Sequence, residues 1–107
     1  MLIKNASLFD DYHRIEQSII KQLEYDFFDP RMEMLSYEEK NVLFAMSKIK
    51  NTDIVFDDVQ KISKVPRNAL AMYLGRLEQK GLIYNYKRGV YRFSLPMLKE
   101  YLTRKSE

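Results

Sequence analysis

A mainly α-helical fold with one small β-hairpin is predicted by three features of the sequence. Residues 57–63 read as a short helix, Lys64-Val65-Pro66 as a tight turn, and residues 67–80 as a second helix stopped by Gly81. Two strands, 82–86 and 90–93, flank Arg88-Gly89. On either side of this block apolar residues recur every three or four positions, which adds helices before and after it. Helix, turn, helix, hairpin is the plan of a winged helix-turn-helix: a three-helix core and a wing, here with additional N- and C-terminal helices. In that plan the second helix can enter a DNA major groove while the hairpin touches the backbone.

The N-terminal helix is predicted by Phe9, Tyr12, Ile15, Ile19, Leu23 and Phe27, one apolar stripe with Ile20 beside it. Ser7 or Asp10 would cap its start. Asp29-Pro30 would end it, because the residue before proline avoids helical backbone. Residues 1–30 thus form a helix that packs on the core or dimerises, and residues 31–107 form the winged helix-turn-helix. Ser36-Tyr37-Glu38-Glu39 is a capping box, and Val42, Leu43, Met46 and Ile49 continue that helix on one face. Asn51-Thr52-Asp53 breaks it. Ile54-Val55-Phe56 is β-branched and aromatic and reads as a short first strand.

Asp57 is expected to cap the next helix, with Val59 and Ile62 inward. Pro66 suits the first turn of the helix after it, where Leu70, Leu74 and Leu77 make the buried stripe. Gly81 supplies a left-handed cap and Leu82-Ile83 a hydrophobic exit. The hairpin alternates, with Ile83, Asn85 and Lys87 on one face and Leu82, Tyr84 and Tyr86 on the other. Gly89 can take positive φ at the tip. Ser94-Leu95-Pro96 opens a last helix whose apolar side is Met97, Leu98, Tyr101 and Leu102.

A chain of 107 residues that is 46% hydrophobic fits one domain with a core. It has no cysteine, which removes disulfides, thiolate metal sites and cysteine nucleophiles. No apolar run is long enough to span a bilayer, and Met1-Leu2-Ile3-Lys4 begins no secretory signal. The expectation is a cytoplasmic protein without a membrane partner. Charge is split along the chain. Residues 1–60 hold 7 Lys/Arg and 12 Asp/Glu, a net of −5, whereas residues 61–107 hold 11 and 3, a net of +8. A basic C-terminal half points to an anionic partner, nucleic acid first.

The chain offers no constellation for catalysis. His13 stands alone, so a metal site lacks its ligands. Asp10-Asp11, Glu38-Glu39 and Asp57-Asp58 lie near helix starts, where the helix dipole accounts for them. With three glycines there is no phosphate-cradling loop. No catalytic, metal or cofactor residue is assigned, and the chain is read as a non-enzyme. The candidate partner is double-stranded DNA. Arg67 and Asn68 are types that read base edges or hold phosphate. Lys61, Lys64, Arg76, Lys80, Lys87, Arg88 and Arg92 are phosphate candidates. Met72 lies on the same outward side of the helix, with Ala71 and Gly75, and these three offer no hydrogen bonds to bases. The pattern therefore favours phosphate-led contact over base readout. A small, smooth outer face also suits another protein, so a docking or dimerisation module is the alternative.

The phrases Tyr73-Leu74-Gly75-Arg76-Leu77-Glu78-Gln79-Lys80-Gly81-Leu82-Ile83 and Gly89-Val90-Tyr91-Arg92-Phe93-Ser94-Leu95-Pro96-Met97-Leu98-Lys99-Glu100-Tyr101-Leu102 carry a resemblance. The second is similar to the end of the C-terminal winged-helix domain of archaeal-type AAA+ P-loop ATPases, including relatives of the origin-recognition ATPases. Phe27-Phe28-Asp29-Pro30-Arg31 and Leu35-Ser36-Tyr37-Glu38-Glu39-Lys40-Asn41-Val42-Leu43 look like the entry to that domain. The resemblance spans residues 23–104. It implies the C-terminal piece of a larger protein, binding DNA or docking on an ATPase core that this chain lacks. The short wing and the apolar Ala71-Met72-Gly75 face depart from the DNA-binding members. A free-standing winged-helix transcription regulator, dimerised through the N-terminal helix, is a further alternative.

Overall fold

The computed structural model describes residues 15–19, 21–22 and 24–106. The chain divides into two compact units, one ending at Met34 and one beginning at Leu35. In the first, residues 15–19 and 21–22 are helical. Phe9, Tyr12, Leu23, Ile20 and the expected caps Ser7 and Asp10 lie outside the described residues, as does His13. Pro30 does not end the helix as the sequence suggests. Glu24–Phe28 widens into a π-helical turn, and helix α1 (Asp29–Glu33) begins with Pro30 in its first turn. Proline lacks an N–H and crowds the carbonyl four residues back; a widened turn carries the chain past both problems. Arg31 steadies this turn, donating from Nη1 to the Phe27 carbonyl at 3.0 Å, with its guanidinium 3.6 Å above the Phe27 ring.

The second unit is built on α2 (Tyr37–Ser47). Its capping box forms as the sequence predicts. The Glu39 amide donates to Ser36 Oγ at 3.2 Å, and the Ser36 amide donates to Glu39 Oε1 at 2.9 Å. Val42, Leu43 and Met46 of α2 are fully buried. Helices α3 (Phe56–Ser63), α4 (Arg67–Gln79) and α5 (Leu98–Lys105) all pack against α2. They contribute Val59, then Leu70, Leu74 and Leu77, then Leu98, Tyr101 and Leu102 to one core. Burying each of these leucines stabilises the fold by roughly 1.5–3 kcal/mol.

Three strands, β1 (Ile54–Val55), β2 (Ile83–Lys87) and β3 (Val90–Phe93), form an antiparallel sheet in the order β1-β3-β2. Ile54 pairs with Tyr91 and Ile83 with Phe93. The first strand is therefore present as expected, but Phe56 belongs to α3. Helix α3 starts one residue early, with Val55 at its cap, so Asp57 is not the cap. Both acids still sit in the first turn, where the helix dipole favours them. Ile62 is 38% exposed, not inward. The turn into α4 uses Lys64 at φ 61°, and Pro66 occupies the cap position of α4 instead of its first turn.

The exit from α4 matches the sequence closely. Gly81 takes φ 79°, its amide donates to the Glu78 carbonyl at 3.0 Å, and the Leu82 amide donates to the Leu77 carbonyl at 3.1 Å. This is a Schellman closure with Leu82 and Leu77 both buried. The expected hairpin faces are not both realised. Leu82 precedes β2 and is buried, and a register shift between Asn85 and Lys87 interrupts the alternation. Gly89 takes φ 74° at the tip. The last helix starts at Leu98, not at Pro96; Met97, at φ 70°, caps it. The fold is a winged helix-turn-helix, mainly α with a small three-stranded sheet.

Candidate nucleic-acid interface

Helix α4 buries Leu70, Leu74 and Leu77 and turns the opposite side outward. Arg67, Asn68, Ala71, Met72 and Arg76 are exposed there, Met72 by 47%, and Gly75 is half-buried. The spacing places them on one helical face. A Cβ added at Gly75 would meet nothing within 4 Å, so the core does not demand glycine at this position. Lys61 on α3 and Lys64 in the turn are exposed, as are Lys87 and Arg88 at the wing tip.

The cations fall into two groups. Arg67 lies at the N-terminal end of α4, where a positive charge opposes the helix dipole. Asp57 offsets it. Arg67 Nη1 donates to Asp57 Oδ1 at 2.9 Å and to Gln60 Oε1 at 3.4 Å, and its guanidinium lies 4.7 Å from the Phe56 ring centre. Lys80 is tied to the core. Its Nζ donates to Glu39 Oε1 at 2.7 Å, and Glu39 is 2% exposed. Burial alone would push the Glu39 carboxyl up. The hydrogen bonds from Lys80 and the Ser36 amide, with the Lys80 charge, outweigh burial and hold it below the usual range. Arg92 donates from Nε to Asp53 Oδ1 at 2.7 Å and stacks 3.5 Å over the Tyr86 ring. The Asp53 hydrogen bond pushes its pKa further up. Lys61, Lys64, Arg76, Lys87 and Arg88 make no side-chain hydrogen bond or ion pair among the described residues.

Of the sequence candidates, Lys61, Lys64, Asn68, Met72, Arg76, Lys87 and Arg88 are thus open to a partner, Arg67 is held but exposed, and Lys80 is engaged in holding α4 to α2. The partners Asp57, Glu39 and Asp53 were missed. Each lies 10 to 41 residues from the cation it meets, beyond the reach of local pattern. Tyr84 and Tyr86, exposed by 42% and 48% beside the basic tip, were legible only as hairpin alternation. Burial pushes the Tyr91 phenol up, with the charge of Glu78 adding to it. Among the described residues no group of acids or histidines is placed to hold a metal, and no helix is long and apolar enough to cross a membrane.

No curated protein matches the chain. Among solved structures, the crystal structure of NadR in complex with 4-hydroxyphenylacetate is similar, with a TM-score of 0.53 and 17% identity over 94% of this chain and 72% of NadR. At that identity the likeness is one of fold. Residues 25–102 match the family model described as Domain of unknown function (DUF8462), and the chain belongs to that family.

Proposed function

We propose that this domain is a non-catalytic DNA-contacting module that holds duplex DNA mainly by its phosphates, through the outer face of α4 and the wing tip. The observation that carries the reading is that five cations of the helix-turn-helix and the wing, Lys61, Lys64, Arg76, Lys87 and Arg88, are exposed and make no side-chain hydrogen bond or ion pair among the described residues. The apolar Ala71-Met72-Gly75 strip between them offers no donors to base edges, which favours phosphate contact over sequence readout. By its resemblance to the C-terminal domains of AAA+ ATPases, the module belongs at the end of a larger ATPase whose core docks on it or positions it.

The test is fluorescence anisotropy of the chain with duplex DNA of random sequence at low and physiological salt. Binding should weaken steeply with salt, and Arg76→Ala and Arg88→Ala should each lower the log–log slope by about 0.9. No binding at low salt would sink the reading. A second reading, docking or dimerisation, is favoured by Ile15 and Ile19. They are 58% and 54% exposed on the N-terminal helical residues, at positions where their spacing predicts an apolar stripe. In that setting the chain is a free-standing regulator. Analytical ultracentrifugation of Ile15→Glu with Ile19→Glu separates the two, since a dimer held by this stripe would become monomeric.

A further inference from the structure

The outer side of the wing carries a cluster that duplex binding leaves unused. Tyr84 is the cross-strand partner of Arg92. Tyr86 is the extra residue at the register shift between Asn85 and Lys87, and such bulges re-aim a side chain. The re-aimed ring lies under the Arg92 guanidinium at 3.5 Å, while Asp53 fixes Arg92 at 2.7 Å. Asn85 Nδ2 donates to the carbonyls of Lys87 at 2.9 Å and Val90 at 3.0 Å, pinning the tip. Both tyrosines are about half exposed, and Tyr86 is already held under Arg92, so ordering that ring on binding costs little.

The chemistry around this pair is one-sided. Residues 79–99 contain no aspartate or glutamate, and Lys87 and Arg88 stand free at the rim. Arg92 is neutralised by Asp53 and serves to hold the Tyr86 ring. Two exposed tyrosines edged by cations, one of them held by Arg92, fit a polyanion that presents flat rings. Bases inside a duplex are already stacked on one another, whereas unpaired bases have free faces. We propose that this side of the wing stacks on unpaired bases, so that the domain prefers duplex DNA continued by a single strand to blunt duplex. The proposal rests on the DNA-contact reading above.

The experiment compares the full chain on three labelled DNAs: a blunt duplex, the same duplex with a short thymidine tail, and the same duplex with an abasic tail of equal length. The two tails carry equal phosphate charge and differ only in bases. The thymidine-tailed DNA should bind at least about fivefold tighter than the abasic-tailed one. Tyr84→Leu with Tyr86→Leu should abolish that difference while leaving blunt-duplex affinity within about twofold; Tyr84→Phe with Tyr86→Phe should keep it. Helical circular dichroism confirms that the leucine variant is folded; if it is not, the tail comparison on the unaltered chain and the phenylalanine pair decide. Equal affinity for the two tails, with blunt duplex still bound, overturns this inference and leaves the duplex reading standing. Absence of salt-sensitive binding to all three overturns both.

Discussion

At the scale of single residues, ion pairing decides which cations are open to a partner. Asp57 holds Arg67 at 2.9 Å on an exposed surface, with both side chains about two-thirds exposed. Such a pair adds little to stability, on the order of 0–1 kcal/mol. It does place a carboxylate where a phosphate would approach. Asp57→Asn should therefore leave the melting temperature nearly unchanged and tighten duplex binding at low salt by about two- to fivefold; unchanged affinity would remove Arg67 from the interface. Glu39 is the opposite case, a buried carboxylate shared by a helix cap and a lysine 41 residues away. Lys80→Met strands that carboxylate and should cost about 3 kcal/mol, read by urea unfolding. Because the folded state holds the Glu39 carboxyl below its ordinary range, its contribution is complete above about pH 4.3 and is lost as the pH falls through the folded value. The stability gap between the unaltered chain and Glu39→Gln should accordingly be widest near neutrality and narrow as the pH falls below the ordinary carboxyl range. A gap that does not depend on pH would mean that the hydrogen bonds survive protonation.

At the scale of elements, α4 serves two surfaces. Its leucine side is fixed by the core, and its outer side is free to be small. Gly75 sits mid-helix with open space around it, so no packing need explains it. Gly75→Ala should raise stability by about 0.5–1 kcal/mol, since glycine is costly in a helix interior. If the same variant weakens duplex binding in the anisotropy assay, close approach to the ligand is the reason for glycine there; unaltered binding would place the contact elsewhere on α4. The boundaries of α4 were legible because their chemistry is local: proline before, glycine after, leucine at the exit. The wing was legible in place but not in detail. Alternation predicts faces only while the register is kept, and the shift at Asn85/Lys87 is a property of two strands together. Pro30 misled for a similar reason. The rule that proline ends a helix assumes α geometry, and the π turn of Glu24–Phe28 evades it.

At the scale of the whole molecule, the unit from Leu35 onward has its own core, drawn from α2 to α5 and the sheet. A chain beginning at Leu35 should keep cooperative thermal unfolding and helical circular dichroism; a broad, non-cooperative melt would show that the preceding residues are needed to fold it. Apolar periodicity, the capping box, the Gly81 and Gly89 turns and the split between an acidic and a basic half together determined the winged helix-turn-helix and the basic candidates. Apart from the charge split, which is a sum over composition, those signals are local, acting over one to four residues, and all of them survive in a linear reading. Only the tertiary structure decided which cations are available. Lys80 turned inward to Glu39, Arg92 to Asp53 and Tyr86, and Arg67 to Asp57, while Arg76 and Arg88 remained open. A charge finds its partner through packing of distant segments, and a linear pattern carries no record of that distance.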